Sequence, residues 1–376
     1  MRISIGAQRL SIGGDAIELP LPKITVVGGE FRRLGQEFKS WGYQQYSYDF
    51  VEAFYADSDM NSANHVLMAD TFRGDQAQGA NTVRLRLELW SFIQGSSYAT
   101  LSVKTTAMNN LIYALDAARA NGIYVLLCGM NTVRPVNTPA WYDALGNEDR
   151  WDVQEYFWSN VAQAIRNAGH SNTILGYDLV NEPYIHPSPT EPWYGTGYIG
   201  SEDHFVCCVA RGPGVDGTTV RAWITQLATA IRTADPGALV TIGLLPYSTG
   251  PFGISNIEDL LDFFAPHLYP PNAAFGNPLT LAECLSVANA FGDAAIPTVI
   301  GENLPWGTES ENTDCFAVYT TKMKGMISFS FGYGPLEFTA NPAAIKPPAE
   351  GDPESGGMLL TKTWLEMFNA YRIGFV

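Results

Sequence analysis

Several things that would send a chain to a membrane, a nucleic acid or an oxidising compartment are missing from this sequence. It has no run of about 18 apolar residues, the length a spanning helix needs, so no membrane span is expected. Lys and Arg number 22 against 38 Asp and Glu, a formal net charge of −16, and the few cations form no cluster. That removes the electrostatic footprint of a nucleic-acid binder and works against adhesion to anionic lipid. The 5 cysteines are an odd number and form no disulfide framework. There is no Asn-x-Ser/Thr glycosylation site, and the opening stretch MRISIGAQRLSIGG lacks the apolar core of a signal peptide. Together these favour a cytoplasmic setting slightly over secretion. Nothing in the residues speaks to oligomeric state.

What is present is an ordinary globular composition of 376 residues, 46% hydrophobic and 16% charged, with aromatics at 12%. A (β/α)8 barrel takes about 250 residues bare and more with insertions, so one large barrel fits the length. Residues 1–37 read as short strands broken by Gly and Pro, expected as β-hairpins packed on the bottom or flank of a barrel spanning 38–376. From Phe38 onward strands and helices alternate, which argues for a parallel sheet. The strands are expected at FKSWGYQQY, NTVRLRLEL, GIYVLLCG, TILGYDLV, ALVTIGLL, DFFAPHLY, IPTVIGE and MISFSFGY. Met108, Leu111, Ile112, Leu115 and Ala118 recur at helical spacing, as do Phe157, Trp158, Val161 and Ile165 and, later, Val220, Trp223, Ile224, Leu227 and Ile231. Residues 183–217 read as a long loop, and a last helix is expected at about 360–371. The first and fifth helices leave the weakest patterns.

Two carboxylates stand at the C-terminal ends of apolar strands: Glu182 after the fourth and Glu302 after the seventh. In a (β/α)8 barrel that face carries the active site. Glycoside hydrolysis needs two such groups, one to protonate the leaving oxygen and one to attack or to activate water. The stretch Tyr177-Asp178-Leu179-Val180-Asn181-Glu182-Pro183 resembles the fourth-strand motif of the clan A glycosidases, and Ile300-Gly301-Glu302 resembles their nucleophile motif. Val83-Arg84-Leu85 is similar to their second-strand arginine, and His267-Leu268-Tyr269 to their sixth-strand pair. The set is most similar to glycoside hydrolase family 5, the cellulase family.

That resemblance implies a retaining β-glycosidase acting on gluco- or manno-configured oligo- or polysaccharides, without metal or other cofactor. Glu182 would be the general acid/base and Glu302 the nucleophile, their carboxyls about 5–5.5 Å apart as in retaining enzymes. Arg84 would hold Glu302 ionised, since a nearby cation favours the charged form. Tyr269 would hydrogen-bond the same carboxylate, Asn181 would donate to the sugar 2-hydroxyl, and His267 would bind substrate or help Glu182 keep its proton. Two positions depart from the family pattern. The third strand ends Leu127-Cys128-Gly129-Met130 where a His is common, and Phe329 stands where a Trp commonly forms the floor under the sugar. Trp306, on the loop leaving the seventh strand, is then the expected replacement platform.

Other residues admit plainer readings. Arg86 shares the facing of Arg84, but pairing with a core-edge carboxylate such as Glu88 accounts for it, and no role is assigned. His186, His204, Cys207 and Cys208 lie near one another in the long loop, yet their spacing fits no usual zinc pattern. Gly195–Gly200 matches G-x-G-x-x-G formally but follows no strand and opens no helix. Trp141 and Trp193 are sugar-platform candidates, Trp90 a weaker one; Trp151, Trp158 and Trp223 belong to helix cores. Rival functions are a transglycosylase on the same residues, a catalytically inactive carbohydrate-binding barrel and, more remotely, a metal-dependent barrel hydrolase.

Overall fold

The computed structural model describes residues 9–12, 15–18, 20–45, 53–130, 138–195, 206–245, 250–271, 279–303 and 307–329. Eight parallel strands form one sheet: β1 (Ser40–Gln45), β2 (Thr82–Arg86), β3 (Tyr124–Cys128), β4 (Ile174–Asn181), β5 (Val240–Leu244), β6 (Ala265–Pro266), β7 (Val299–Asn303) and β8 (Gly325–Phe329). Their order runs from β6 back through β1 to β8 and β7. Parallel bridges Phe264–Thr298 and His267–Glu302 join the two ends of that order and close the barrel. This is the (β/α)8 architecture the alternation of strands and helices predicts.

The connecting helices follow their apolar spacing: α1 (Ala63–Ala77), α2 (Thr105–Ala120), α3 (Asn147–Asn167), α4 (Gly217–Ala234), α5 (Ile254–Ile257), α6 (Leu281–Gly292) and α7 (Glu309–Lys322). On α3, Trp151, Phe157, Trp158, Val161 and Ile165 are all buried against the barrel. Starts are fixed by caps. Asp216 accepts from the amides of Thr218 and Thr219 at the head of α4. Thr280 with Glu283 and Thr308 with Glu311 form capping boxes on α6 and α7.

The N-terminal strands divide into an antiparallel hairpin (Arg9–Ile12 with Asp15–Glu18) and a three-stranded unit (Ile24–Val27, Glu30–Arg33, Gln36–Glu37). The second unit closes the barrel floor. Phe31 sits edge-on to Phe263 and Phe38 to Tyr124, each with ring centroids 5.2 Å apart. They cluster with Leu126, Leu175, Val299 and Ile327, a separate buried core.

Three expectations change. The stretch 183–217 is not all loop: Pro183–His186, Tyr194–Gly195 and Val206–Arg211 form a small sheet. The sixth strand is reduced to two residues with single bridges on either side: Pro266 has no N–H to donate, and pairing resumes at His267 and Leu268, whose amides donate to Leu244 O and Glu302 O. The fifth helix is a four-residue turn between two 3-10 turns, Gly250–Phe252 and Glu258–Leu260. The expected helix at 360–371, Trp306 and His204 lie outside the described residues. Among the described residues no helix is long and apolar enough to cross a membrane.

Candidate active site

Glu182 leaves β4 with φ +49°, a left-handed conformation that is rare for a residue with a side chain. Such backbone costs of order 1–3 kcal/mol and persists where the surroundings impose it. They do so here: the Glu182 amide donates to Gly243 O at 2.7 Å, and its carbonyl accepts from the Cys207 amide at 3.2 Å. The pairing of β4 with β5 shifts register between Asp178 and Asn181, and that of β7 with β8 between Ile300 and Asn303. Both carboxylates therefore emerge at irregular strand ends, the kind of irregularity that re-aims side chains beside active sites.

Glu302 is buried, and both its oxygens are held. Oε1 accepts from Arg84 and, at 3.2 Å, from Arg86; Oε2 accepts from the Tyr269 hydroxyl at 2.7 Å. Burial alone would raise its pKa, but His267, Arg84, Arg86 and the Tyr269 hydrogen bond more than offset that and bring it down to about 2. Burial, together with Glu302 and Glu182, pushes the Tyr269 phenol well up, so it remains a neutral donor. His267 Nδ1 stands 2.8 Å from Glu182 Oε1 and 3.4 Å from Glu302 Oε2. One oxygen from each glutamate and a ring nitrogen of His267 lie within 4.8 Å of one another.

Below this trio is a charge network that the sequence reading missed. Asp178 Oδ2 accepts from Arg84 Nε at 2.9 Å and Nη2 at 2.7 Å, and its Oδ1 accepts from the Gly243 amide at 2.6 Å. Arg84 also donates to Gln44 Oε1 at 2.7 Å and to Asn181 Oδ1 at 3.0 Å, and it touches the Cys128 thiol at 3.0 Å. Burial keeps that thiol protonated, its pKa well above the usual value. Gly243 makes room: a Cβ there would lie 2.7 Å from Arg84 Nη2 and 2.9 Å from His267 Nε2. The sequence did carry a signal for Asp178, since a charge inside an otherwise apolar strand requires a partner.

Arg86, given no role from sequence, reaches Glu302 and lies 3.3 Å from Asn181 Oδ1. Residues two apart on a strand share a face, so both arginines of β2 enter the barrel mouth. Asp178→Ala would leave Arg84 buried without the carboxylate oxygen that accepts two of its N–H groups. We expect it to cost about 3–5 kcal/mol in a urea melt, with Asp178→Asn losing less; a wild-type midpoint for the alanine variant would refute the network.

Other candidate residues separate. Trp193 is buried with Arg150 and Arg211 each 4.0 Å from its ring centre, so its faces are taken by guanidinium groups rather than offered to a sugar. Trp141 is half-buried, edge-on to Trp90 at 5.7 Å. Cys207 and Cys208 are buried and bond backbone carbonyls. Among the described residues the group with metal-ligand proximity is Glu182–His267–Glu302 itself. Both Glu302 oxygens there already accept from cationic or phenolic donors. Phe329 ends β8 opposite Gln44 of β1, and its side chain is outside the described set. A cleft of about 690 Å3 opens beside β2, lined by residues including Tyr55, Glu88, Trp90, Gln94 and Lys104.

Known proteins share sequence and fold with this chain. A mannan endo-1,4-beta-mannosidase 4 of rice (Oryza sativa subsp. japonica) is 25% identical over 244 residues, 54% of this chain and 46% of that protein. A mannan endo-1,4-beta-mannosidase of Mytilus edulis is 25% identical over 237 residues, 54% of this chain and 60% of its own length. The chain thus spans about half the length of the curated relatives it matches. In fold it resembles the beta-mannanase structure from the blue mussel Mytilus edulis, with TM-score 0.59 and 19% identity over 86% of this chain and 98% of that one. It also resembles the beta-1,4-mannanase of the sea hare Aplysia kurodai, with TM-score 0.58 and 20% identity over 87% and 99%. The family model described as cellulase (glycosyl hydrolase family 5) matches residues 50–335, most of the chain and both carboxylates with their partners, and the chain belongs to that family.

Proposed function

We propose that this protein hydrolyses β-1,4-linked mannan by double displacement, with Glu302 as nucleophile and Glu182 as general acid and then base. The observation that carries the mechanism is the closeness of the carboxylates, with an oxygen of each within 4.8 Å. That fits the roughly 5–5.5 Å of retaining enzymes and falls short of the roughly 6.5–9.5 Å that leaves room for an attacking water. The substrate is supported by the names of the rice and mussel relatives.

The chemistry follows from the contacts. Glu302, ionised and fixed by Arg84 and Tyr269, attacks the anomeric carbon. Glu182 gives its proton to the glycosidic oxygen, and that C–O bond breaks to release the leaving sugar. The ester so formed removes the negative charge of Glu302. Glu182, now a carboxylate, takes a proton from water as the water oxygen bonds the same carbon and Glu302 departs. His267 sits between the two carboxylates and orients Glu182, while Asn181 presents its amide to the 2-hydroxyl. A barrel that only binds sugar has no use for a buried carboxylate under two guanidinium groups.

Digestion of mannan oligosaccharides followed by NMR at early time should show the β-anomer as the first product. An α-anomer first would replace double displacement with inversion, and no cleavage of mannan while glucan is cut would overturn the substrate.

A further inference from the structure

Two guanidinium groups converge on the same two acceptors. Arg84 and Arg86 both donate to Glu302 Oε1, and both donate to Asn181 Oδ1, at 3.0 Å and 3.3 Å. They are not equivalent. Arg84 is anchored from below by Asp178 and Gln44. Arg86 stands two residues nearer the C-terminal end of β2, at the level where Glu302 and Asn181 face the open mouth, and is 3% exposed. An amide oxygen that accepts from two cations fixes which end of Asn181 is which. Turning it over would set the amide N–H groups against two guanidinium groups.

We propose that Arg86 is a positioning residue that couples the nucleophile to the reader of the sugar 2-hydroxyl, pinning the Asn181 amide with its NH2 toward substrate. This rests on the proposed roles of Glu302 and Asn181. As Glu302 gives up its charge to the anomeric carbon, Arg86 keeps Asn181 Oδ1 as its acceptor. Hydrogen bonds in series polarise one another, so the Asn181 N–H becomes the stronger donor as the transition state forms. That is when a contact to the 2-hydroxyl is worth most.

The test compares Arg86→Met and Arg86→Lys on an aryl β-mannoside and its 2-deoxy analogue. Arg86→Met should lower kcat by roughly 100-fold on the 2-hydroxyl substrate, typical of losing one preorganised donor, with KM little changed. On the 2-deoxy substrate the loss should be clearly smaller, and adding Asn181→Ala should cost little more.

The pH profile is the second readout. Glu302 must be ionised to attack, so activity fails as pH falls through its pKa, near 2 in the wild type. The charged and titratable groups around it are Arg84 and Arg86 on β2, Cys128 on β3, Glu182 just after β4, and His267 and Tyr269 just after β6. Losing one cation raises that pKa. The acid limb of kcat/KM should therefore move to higher pH in Arg86→Met and return toward wild type in Arg86→Lys.

Equal losses on both substrates with an unmoved acid limb would overturn the coupling and leave Arg86 a packing residue. The underlying reading fails separately, if wild type shows no preference for the 2-hydroxyl or if Asn181→Ala keeps that preference.

Discussion

Glu302→Ala is expected to abolish turnover on every glycoside, activated or not, by roughly 10^4-fold or more, because both leaving-group classes depend on the same attacking carboxylate. The carboxylate does more than attack. Held at about 2, it is the anion that two buried arginines, Tyr269 and His267 are arranged around. Its removal therefore has a structural cost that must be separated from the chemical one. Glu302→Gln does so, since its amide oxygen still accepts from the arginines while the nucleophile is gone. A pKa depressed below the ordinary 4.5 means that the ionised form stabilises the fold. That contribution is complete above about pH 4.5 and disappears as pH falls through about 2. The glutamine variant should accordingly be less stable than wild type at neutral pH and converge with it near pH 2, while remaining inactive throughout. Residual turnover above a hundredth of wild type in a folded Glu302→Ala protein would remove Glu302 from the chemistry.

The structure brings together two carboxylates that the sequence had marked, each at the end of an apolar strand in a short, distinctive setting, Asn181-Glu182-Pro183 and Ile300-Gly301-Glu302. Strand alternation also brings Arg84, His267 and Tyr269 inward, and the structure places all three within hydrogen-bonding reach of one or both glutamates. What could not be read was partnership across strands. Arg84 and Asp178 are 94 residues apart, and which strand positions meet depends on the stagger of β2, β3 and β4 around the barrel. The same limit explains Arg86: its inward facing was visible, but not that Glu302 and Asn181 lie level with it. Aromatic residues in loops were the least legible. A Trp that stacks on a sugar and one that stacks on Arg150 and Arg211 have the same local sequence, and only the path of the chain separates them. The left-handed backbone of Glu182 likewise comes from contacts with Gly243 and Cys207, distant in sequence.

Glu182 gives the most discriminating result, because an acid/base matters unequally to the two steps. On mannan the leaving sugar is a poor leaving group and needs a proton, so Glu182→Ala should lose roughly 10^2- to 10^4-fold, the usual worth of general acid catalysis. A dinitrophenyl glycoside leaves without protonation, so its first step should proceed at close to the wild-type rate. The second step still lacks a base for water. The glycosyl ester on Glu302 should then accumulate, visible as a burst of dinitrophenolate followed by a slow steady state and as added mass on the protein. Azide needs no deprotonation and fits the space the side chain vacates. It should restore the steady-state rate and yield the β-glycosyl azide, with configuration retained. The backbone at Glu182, at φ +49°, is strained for alanine as for glutamate, so Glu182→Gly, free of that strain, should show the same kinetics with equal or better stability. His267 Nδ1, 2.8 Å from Glu182 Oε1 in the wild type, stands close enough to act in its place. If it did, a double variant with His267→Ala would lose the residual rate on mannan. Equal losses for both leaving groups, with no burst and no effect of azide, would mean that Glu182 is not the proton donor and that the roles of the two glutamates have been wrongly divided.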